Sequence, residues 1–284
     1  MRLGLQIIHF NYPNIYQHVR ELAQATEEAG FYSLWTMDHF FQMEMVGGAD
    51  QPMLEAYTML GYLAALTQRV KLGALVTGVV YRHPGFLVKQ IATLDTLSNG
   101  RAYLGMGAAW YEREAVGLGF PYPSTKTRFE QLEETLQIIH QMWKGDRTPF
   151  NGKHYTLPEP LNNPLPIQQP PLMIGGAGEN KTLRMVAQYA DATNLFAEGV
   201  TTVQHKLNVL RQHCDNLGRD YDSIEKTLLA SGSTKGSGLQ DAINLCHQYA
   251  PLGITHIIFN QDDYHDLSAL RDWLNGLSEA TANL

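Results

Sequence analysis

The sequence predicts an α/β protein of the (β/α)8 TIM-barrel class. Eight short apolar runs alternate with helix-like segments along the 284 residues. Several of these runs are continuously apolar, as expected for parallel strands that are covered on both faces. The length also fits a barrel, which typically needs about 250 residues. A doubly wound sheet is the alternative, because alternation alone does not show that a sheet closes.

The predicted elements follow one another in a regular order. The strand-like runs are residues 3–8, 31–37, 70–76, 102–107, 171–176, 191–196, 225–231 and 254–260. The helix-like segments are residues 14–29, 54–67, 85–98, 127–144, 179–190, 201–217, 239–250 and 266–278. Segment 127–144 is the clearest helix, because apolar residues recur there at steps of three and four, at Phe129, Leu132, Leu136, Ile139 and Trp143.

One segment interrupts this order. Residues 145–170 contain six of the chain's 13 prolines, a density that excludes helices and central strands. We expect a single domain over residues 1–284, with this segment inserted between the fourth helix and the fifth strand. A loop of this length is typical of a lid, a binding loop or an interface, and a rigid surface excursion is the alternative.

Composition argues against several classes of function. The formal net charge is −7 and no basic run is present, so nucleic acid is not an expected partner, because phosphate binding needs clustered Lys and Arg. No apolar run approaches the roughly 18–20 residues of a membrane span, and the N-terminal stretch is typical of a first strand, not of a signal peptide. The two cysteines, Cys214 and Cys246, make no disulfide framework. We therefore expect a cytoplasmic location.

The second predicted strand ends in an acid and an imidazole, Asp38 and His39. The active-site residues of barrel enzymes lie at the carboxyl ends of the strands, so these side chains should face the mouth of the barrel. A histidine there can titrate near neutral pH and donate or accept a proton. Asp38 is expected either to cap the next segment or to hold the imidazole. A histidine bonded to loop backbone is the structural alternative.

The fourth strand ends in "LGMGAAW", residues 104–110. The small residues Gly105, Gly107, Ala108 and Ala109 leave room for a ligand to approach the backbone, although small residues also occur where a strand packs against a helix. Trp110 follows directly, at a position where a flat aromatic ring could wall a pocket.

The fifth strand ends in "IGGAGENKTLR", residues 174–184. A strand, a glycine-rich turn and a helix start can place backbone amides around a phosphate. This is not a P-loop, because the Lys-Ser/Thr pair is missing. Residues 230–238, "ASGSTKGSG", follow the seventh strand, where the usual barrel phosphate site lies. By sequence physics alone, the two loops cannot be ranked.

The remaining motif searches point to a bound cofactor. The 11 histidines are scattered, with no HExxH and no Cys/His cluster, so we expect no metal site. No GxSxG nucleophile elbow is present either. A barrel with one histidine at a strand end and phosphate-suited loops favours a site in which a cofactor carries the chemistry.

Together, five segments resemble the bacterial luciferase-like superfamily, and most closely its branch that uses the deazaflavin coenzyme F420. They follow one another in family order within residues 1–195, at residues 34–40, 68–84, 93–123, 128–143 and 172–194. Beyond residue 200 the chain is similar only in its barrel pattern.

The resemblance implies a luciferase-like barrel with an insertion before the fifth strand, and the deazaflavin ring in its mouth. It implies that His39 contacts the ring region and handles a proton, with Asp38 also near the ring. It assigns the cofactor phosphate to Gly175, Gly176, Ala177 and Gly178, and cofactor contacts to Gly107 and Ala108. It also implies a non-proline cis peptide bond at Leu75–Val76, behind the ring.

The chain departs from the family at one position. Sugar-phosphate dehydrogenases of this branch carry a catalytic Glu just after the fourth strand, and alignment on "LGxG" places Trp110 there. Glu112 and Glu114 follow, but a helix that begins there could direct them elsewhere. This departure argues against sugar-phosphate dehydrogenation and leaves the small organic substrate open.

Three functions follow from the resemblance. The leading hypothesis is hydride transfer between F420 and an organic substrate, with His39 assisting a proton. The second is a reduced-FMN-dependent monooxygenase, which would consume oxygen. The third is a non-enzymatic flavin-binding protein, against which Asp38 and His39 count. The resemblance also implies a homodimer that forms through helices near the start of the barrel.

Overall fold

The strands lie where the sequence has apolar runs. The computed structural model describes residues 1–261 and 264–284. In chain order, the strands are β1 (Arg2–Ile7), β2 (Ser33–Thr36), β3 (Lys71–Gly78), β4 (Ala102–Gly107), β5 (Phe150–Asn151), β6 (Thr156–Leu157), β7 (Leu172–Gly175), β8 (Ala192–Phe196), β9 (Glu225–Gly232) and β10 (His256–Gln261). Each of the eight predicted strands has a counterpart whose ends differ by at most two residues.

The helices alternate with the barrel strands. In chain order they are α1 (Ile15–Glu28), α2 (Ala56–Leu66), α3 (Pro84–Leu97), α4 (Glu112–Gly117), α5 (Thr125–Trp143), α6 (Thr182–Tyr189), α7 (Val200–Leu217), α8 (Gly238–Tyr249) and α9 (Leu267–Thr281). Carboxylates cap two of them, because Glu55 and Asp266 accept hydrogen bonds from the first backbone N–H groups of α2 and α9. The short helix α4 is not among the eight predicted helix-like segments, although a helix beginning near Glu112 was considered. Within the described ranges, no helix is long and apolar enough to cross a membrane.

Eight parallel strands close into a barrel. The hydrogen-bonded ring runs β1, β2, β3, β4, β7, β8, β9 and β10, and β10 pairs back to β1. The predicted (β/α)8 barrel is therefore confirmed, and the doubly wound alternative is wrong. Because all eight strands are parallel, their carboxyl ends meet at one face, where the residues that follow each strand come together.

An interior plug of side chains fills the barrel. Its buried members come from six different strands and are Trp35, Leu75, Tyr103, Met173, Ala192 and Ile258. Gly73 makes room for the largest of them, since a Cβ at that position would lie 2.6 Å from the Trp35 ring. Val76 and Leu229 pack on this plug from the carboxyl side. The plug therefore forms a solid floor below the mouth of the barrel.

A polar network ties strands together at the opposite, amino end. Glu225 Oε2 accepts a hydrogen bond from the Tyr103 hydroxyl at 2.9 Å, and its Oε1 lies 3.2 Å from Arg2 and 3.3 Å from His256 Nδ1. His256 Nε2 lies 2.8 Å from Ser33 Oγ. Burial alone would raise the pKa of Glu225, but its interactions with His256 and Tyr103 lower that pKa to about 2. The network links β1, β2, β4, β9 and β10.

The proline-rich segment is a packed excursion between α5 and β7. Its strands β5 and β6 form a small antiparallel hairpin outside the barrel. The carboxylate of Glu134 on α5 accepts backbone N–H groups of Lys153, His154 and Tyr155 at 2.7–3.0 Å. No residue of 145–170 lines the cavity at the barrel mouth. The segment therefore contributes nothing to the wall of this cavity, and the insertion before the fifth barrel strand is confirmed.

Candidate functional site

A cavity of about 330 Å³ opens at the carboxyl ends of the strands. Among the sequence-predicted site residues, its wall contains Asp38, His39, Leu75, Val76, Gly107, Ala108, Gly175 and Gly176. Ala177 and Gly178 do not line it. They lie in the turn that leads to α6, where the Gly178 carbonyl accepts the Leu183 N–H at 3.0 Å.

The floor of the cavity is an irregular end of β3. The peptide bond Leu75–Val76 is cis, as the resemblance implied, and the pairing of β3 with β4 shifts register there. The Gln6 side chain donates to the Leu75 carbonyl at 3.0 Å. A Cβ at Gly107 or Gly175 would lie 2.8 Å or 2.9 Å from the methyl groups of Val76. These glycines therefore make room for Val76, and that packing explains their small size.

Asp38 is held by an arginine, and both expectations for its side chain are wrong. Its Oδ2 accepts hydrogen bonds from Arg82 at 2.7 Å and from the Gly78 N–H at 3.1 Å. Arg82 also pairs with Glu55 at 2.6 Å. Burial raises the pKa of Asp38 even though Arg82 opposes that shift. Its second oxygen, Oδ1, is buried without a hydrogen-bond partner.

Glu114 holds the imidazole of His39. Its Oε1 lies 2.6 Å from His39 Nδ1 and accepts a short hydrogen bond from the Tyr81 hydroxyl. Its Oε2 accepts the N–H groups of Phe40 at 2.7 Å and Phe41 at 3.0 Å. The helix start at residue 112 therefore directs Glu114 into the site instead of away from it.

Aromatic side chains stand beside His39 at the mouth. The ring of Trp110 meets the imidazole edge-on, with centroids 5.5 Å apart, and stacks on Tyr111 at 5.2 Å. Trp110 is 56% exposed and forms part of the cavity wall. An exposed flat ring beside a histidine can cover a planar ligand.

The opposite end of the cavity suits an anion. Gly176 has a φ of +111°, and α6 begins at Thr182, so N–H groups at the helix start are without intrahelical partners. Arg128 is buried in the wall, and its guanidinium donates to the carbonyls of Ala108 at 3.0 Å and Pro123 at 2.7 Å. No carboxylate of the described residues pairs with it. Its positive charge is therefore available to a ligand.

The competing loop lies at a different cavity. Lys235, from the segment after β9, lines a separate space of about 250 Å³ together with His9, Gln42, Gln51 and Tyr264. Residues 230–238 contribute nothing to the wall of the first cavity. Geometry therefore associates the glycine turn after β7, and not the 230–238 loop, with His39.

Sequence reasoning missed several polar residues of the site. Tyr81 and Arg82 follow the end of β3 by three and four residues, so the strand-end argument applied to β3 would have found them. Asn194 lies in the middle of β8, where its amide donates to Thr227 at 2.8 Å, and has no strand-end signal. Glu114 and Arg128 lie on helices and carry no strand-end signal. In the described part of the chain, no group of three or more His, Cys, Asp or Glu residues could hold a metal ion.

Comparisons with known proteins describe what this chain is similar to. The sequence model of a family described as luciferase-like monooxygenase matches residues 1–277. An F420-dependent glucose-6-phosphate dehydrogenase of Nakamurella multipartita is 32% identical over 214 residues, which cover 72% of this chain and 60% of that relative. The pyrimidine monooxygenase RutA of Acinetobacter baylyi is 26% identical over 230 residues, which cover 78% of this chain and 60% of that protein. The matches thus span less than two thirds of these relatives.

A solved structure extends the likeness over nearly the whole chain. An F420-dependent secondary alcohol dehydrogenase, in complex with an F420-acetone adduct, has a TM-score of 0.81 to this protein. The match covers 98% of this chain and 97% of that one at 16% identity. At this identity the likeness concerns the fold.

Proposed function

Because the chain belongs to the luciferase-like monooxygenase family, we propose that it is an oxidoreductase that transfers a hydride between coenzyme F420 and a small organic substrate. One observation carries this proposal: a single cavity joins a carboxylate-held histidine at one end to an anion-suited glycine turn at the other. The similarity to dehydrogenases named as F420-dependent supports the choice of cofactor.

The residues present fit a ring that carries a phosphate chain. The glycine turn leads into the start of α6, and Arg128 adds a positive charge beside it in the same cavity wall, so this region suits a phosphate. The orphaned Oδ1 of Asp38 offers an acceptor to a polar edge of the ring. When bound, a deazaflavin supplies a carbon that accepts or donates a hydride. The protein's own part is to seat the ring on the interior plug, exclude water and move a proton at His39.

We assign the residues of this site as follows. His39 is the proton-transfer residue, and Asp38 acts beside it. The cofactor-binding residues are Asp38, His39, Leu75–Val76, Gly107–Ala108 and Gly175–Gly178. The whole of 1–284 acts as one barrel domain with an insertion at about 145–170.

The first test is a paired titration of the purified protein with F420 and FMN, followed by cofactor fluorescence. Tight binding of F420 alone, followed by oxygen-independent oxidation of the reduced cofactor, is the expected result. His39→Ala should keep F420 affinity and lose most turnover. Preference for FMN with oxygen uptake would replace the proposal with a reduced-FMN-dependent monooxygenase, which the similarity to RutA favours as the second candidate. FMN binding without any turnover would leave a flavin-binding protein.

The substrate is expected to differ from a sugar phosphate. Trp110 occupies the aligned position of the catalytic Glu of sugar-phosphate dehydrogenases, and Glu114 is fully engaged by its four donors. Glucose 6-phosphate should therefore be a poor substrate compared with small uncharged alcohols and ketones. Efficient turnover of glucose 6-phosphate would contradict this expectation.

A homodimer is the expected assembly. A shallow groove of about 320 Å³ lies between α2 and α3, and the apolar side chains Phe86 and Leu97 beside it are 58% and 75% exposed. We expect light scattering to show a dimer that Leu97→Glu dissociates, whereas Leu217→Glu on α7 leaves it intact. A cytoplasmic location also stays a prediction, which cell fractionation would check.

A further inference from the structure

We propose that Glu114 is a positioning residue that fixes His39 with its proton on Nδ1, so that Nε2 faces the cavity as a proton acceptor. The tautomer is a property of the protein alone. Its role in turnover rests on the proposed function. The two statements can therefore fail separately.

The carboxylate of Glu114 is enclosed by donors. Its side chain has no exposed surface, and four groups point at its two oxygens, from His39, Phe40, Phe41 and Tyr81. Burial alone would raise the pKa of Glu114, but the interactions with His39, then those with Tyr81 and Phe41, outweigh burial and lower it. Glu114 is therefore ionised at neutral pH and can only accept hydrogen bonds.

The donors around Glu114 determine which ring nitrogen of His39 carries the hydrogen. Backbone N–H groups can only donate, and an ionised carboxylate carries no hydrogen. The 2.6 Å contact between Glu114 Oε1 and His39 Nδ1 must therefore be an N–H donated by the imidazole. A neutral imidazole that carries its hydrogen on Nδ1 has its lone pair on Nε2. Among the described residues, Nδ1 makes the only hydrogen bond of this ring.

Tyr81 holds the carboxylate in this orientation. Its hydroxyl donates to the same oxygen that receives His39. Burial and the neighbouring Glu114 raise the pKa of Tyr81, so it stays a phenol and remains a donor. Its ring packs edge-on against Phe40 at 5.1 Å and against Phe120 at 5.6 Å. The support of His39 therefore comes from the segments that follow β2 and β3 and from helix α4.

This arrangement has a chemical consequence in both directions of reaction. In alcohol oxidation, the Nε2 lone pair of His39 would take the hydroxyl proton and the electrons of the O–H bond would become the second C–O bond. The hydride of the carbinol carbon would leave with its electron pair for the deazaflavin of the proposed function. In the reverse direction, the Nε2–H of the imidazolium returns that proton to the oxygen. The charge of Glu114 stabilises the imidazolium in both cases, as a buried carboxylate does beside other catalytic histidines.

Glu114→Gln gives a sharp test of the tautomer. The N–H groups of Phe40 and Phe41 still require an acceptor, so the glutamine carbonyl should turn towards them. Its NH2 group then faces His39 Nδ1, which must accept, and the hydrogen moves to Nε2. Glu112→Gln is the matched control, because Glu112 lies on the same helix and is exposed.

The measurement is nitrogen-15 NMR of the histidine rings in cofactor-free protein at pH 8. The signal of His39 is identified among the 11 histidines by its loss in His39→Gln. We expect the Nδ1–H form in the native protein and in Glu112→Gln, and the Nε2–H form in Glu114→Gln. Turnover of Glu114→Gln should fall about 10²- to 10⁴-fold, with F420 affinity unchanged.

Two results would overturn the proposal. An Nε2–H form in the native protein would refute the positioning role, and this result does not depend on how well any variant folds. A changed tautomer with unchanged turnover would separate His39 from proton transfer and thereby also remove the catalytic part of the proposed function. A protein that binds no F420 but has the Nδ1–H form would refute the proposed function and leave the positioning role supported.

Discussion

Replacement of Arg82 by methionine should destabilise the protein strongly and in a pH-dependent way. The side chains of Arg82 and Asp38 are 7% and 1% exposed, and their charged atoms are 2.7 Å apart. Methionine keeps much of the aliphatic volume of arginine and removes its charge. Asp38 would then be a buried carboxylate with one N–H donor, that of Gly78.

The magnitude follows from the burial of the pair. Removal of one partner of a buried ion pair typically costs about 3–5 kcal/mol. The second pair of Arg82, with Glu55, adds little, because Glu55 is 36% exposed and keeps its hydrogen bonds to the start of α2. We therefore expect a loss of about 3–5 kcal/mol at pH 7.5.

The loss should shrink as the pH falls. Burial already raises the pKa of Asp38, and removal of Arg82 raises it further, so the folded variant binds a proton that the unfolded chain releases. A carboxyl with a raised folded pKa makes the folded state less stable as the pH rises above its unfolded value. Over the pH range in which Asp38 is protonated in the folded variant but ionised in the unfolded chain, the stability lost by Arg82→Met should shrink by about 1.4 kcal/mol for each unit that the pH falls.

Urea unfolding at pH 5.5, 6.5 and 7.5 measures this directly. Arg113→Met is the control, because the pair of Arg113 with Glu44 is exposed and its loss should leave the unfolding midpoint unchanged. The double variant Asp38→Asn/Arg82→Met should recover part of the lost stability, since no uncompensated charge remains. A loss below about 1 kcal/mol, or one that is the same at all three pH values, would refute the argument.

Three further predictions concern single sites. Gly105→Ala should destabilise the fold by about 1–3 kcal/mol, because the new Cβ would lie 2.4 Å from a backbone carbonyl oxygen. Gly61→Ala on α2 is the control: its Cβ would meet no atom within 4 Å, so it should stabilise the fold by up to about 1 kcal/mol. Thermal unfolding of the two variants measures this difference. The pKa of Glu225 in the folded protein, about 2, lies below its unfolded value. Its contribution to stability is therefore present above about pH 4.3 and is lost as the pH falls towards 2. In Glu225→Gln, the free energy of unfolding should depend less on pH in that window. Gly176→Asp should weaken F420 binding in fluorescence titration by repelling the phosphate, while Gly236→Asp, also at a positive φ, should not; the opposite pattern would move the phosphate to the 230–238 loop.

The barrel could be predicted from the sequence because its strands are short, apolar and regularly spaced. Strand β4 matches its prediction at both ends. The helix α4 has six residues, too few to show a helical period. The hairpin β5–β6 has two residues in each strand and no alternating pattern, so composition identified the segment but not its structure.

The site was predictable only where function follows a strand directly. Asp38 and His39 were found in this way, because they follow the last residue of β2, Thr36, by two and three positions. Glu114 is 75 positions from His39 in the chain, and nothing in local spacing connects the two. Gly107 was interpreted as space for a ligand, and a Cβ at that position would also lie 2.8 Å from a methyl group of Val76. A single sequence does not show which neighbouring group fills the space beside a glycine.

The interior plug has a consequence for the traffic of molecules through the site. Side chains such as Trp35 and Tyr103 block the barrel axis completely, so the carboxyl-side opening serves as both entrance and exit. Two ligands that share this opening would have to pass one after the other, and the ligand seated against Leu75 and Val76 would enter first and leave last. If the proposed function holds, we expect ordered kinetics in which the deeper ligand stays bound while the shallower one exchanges.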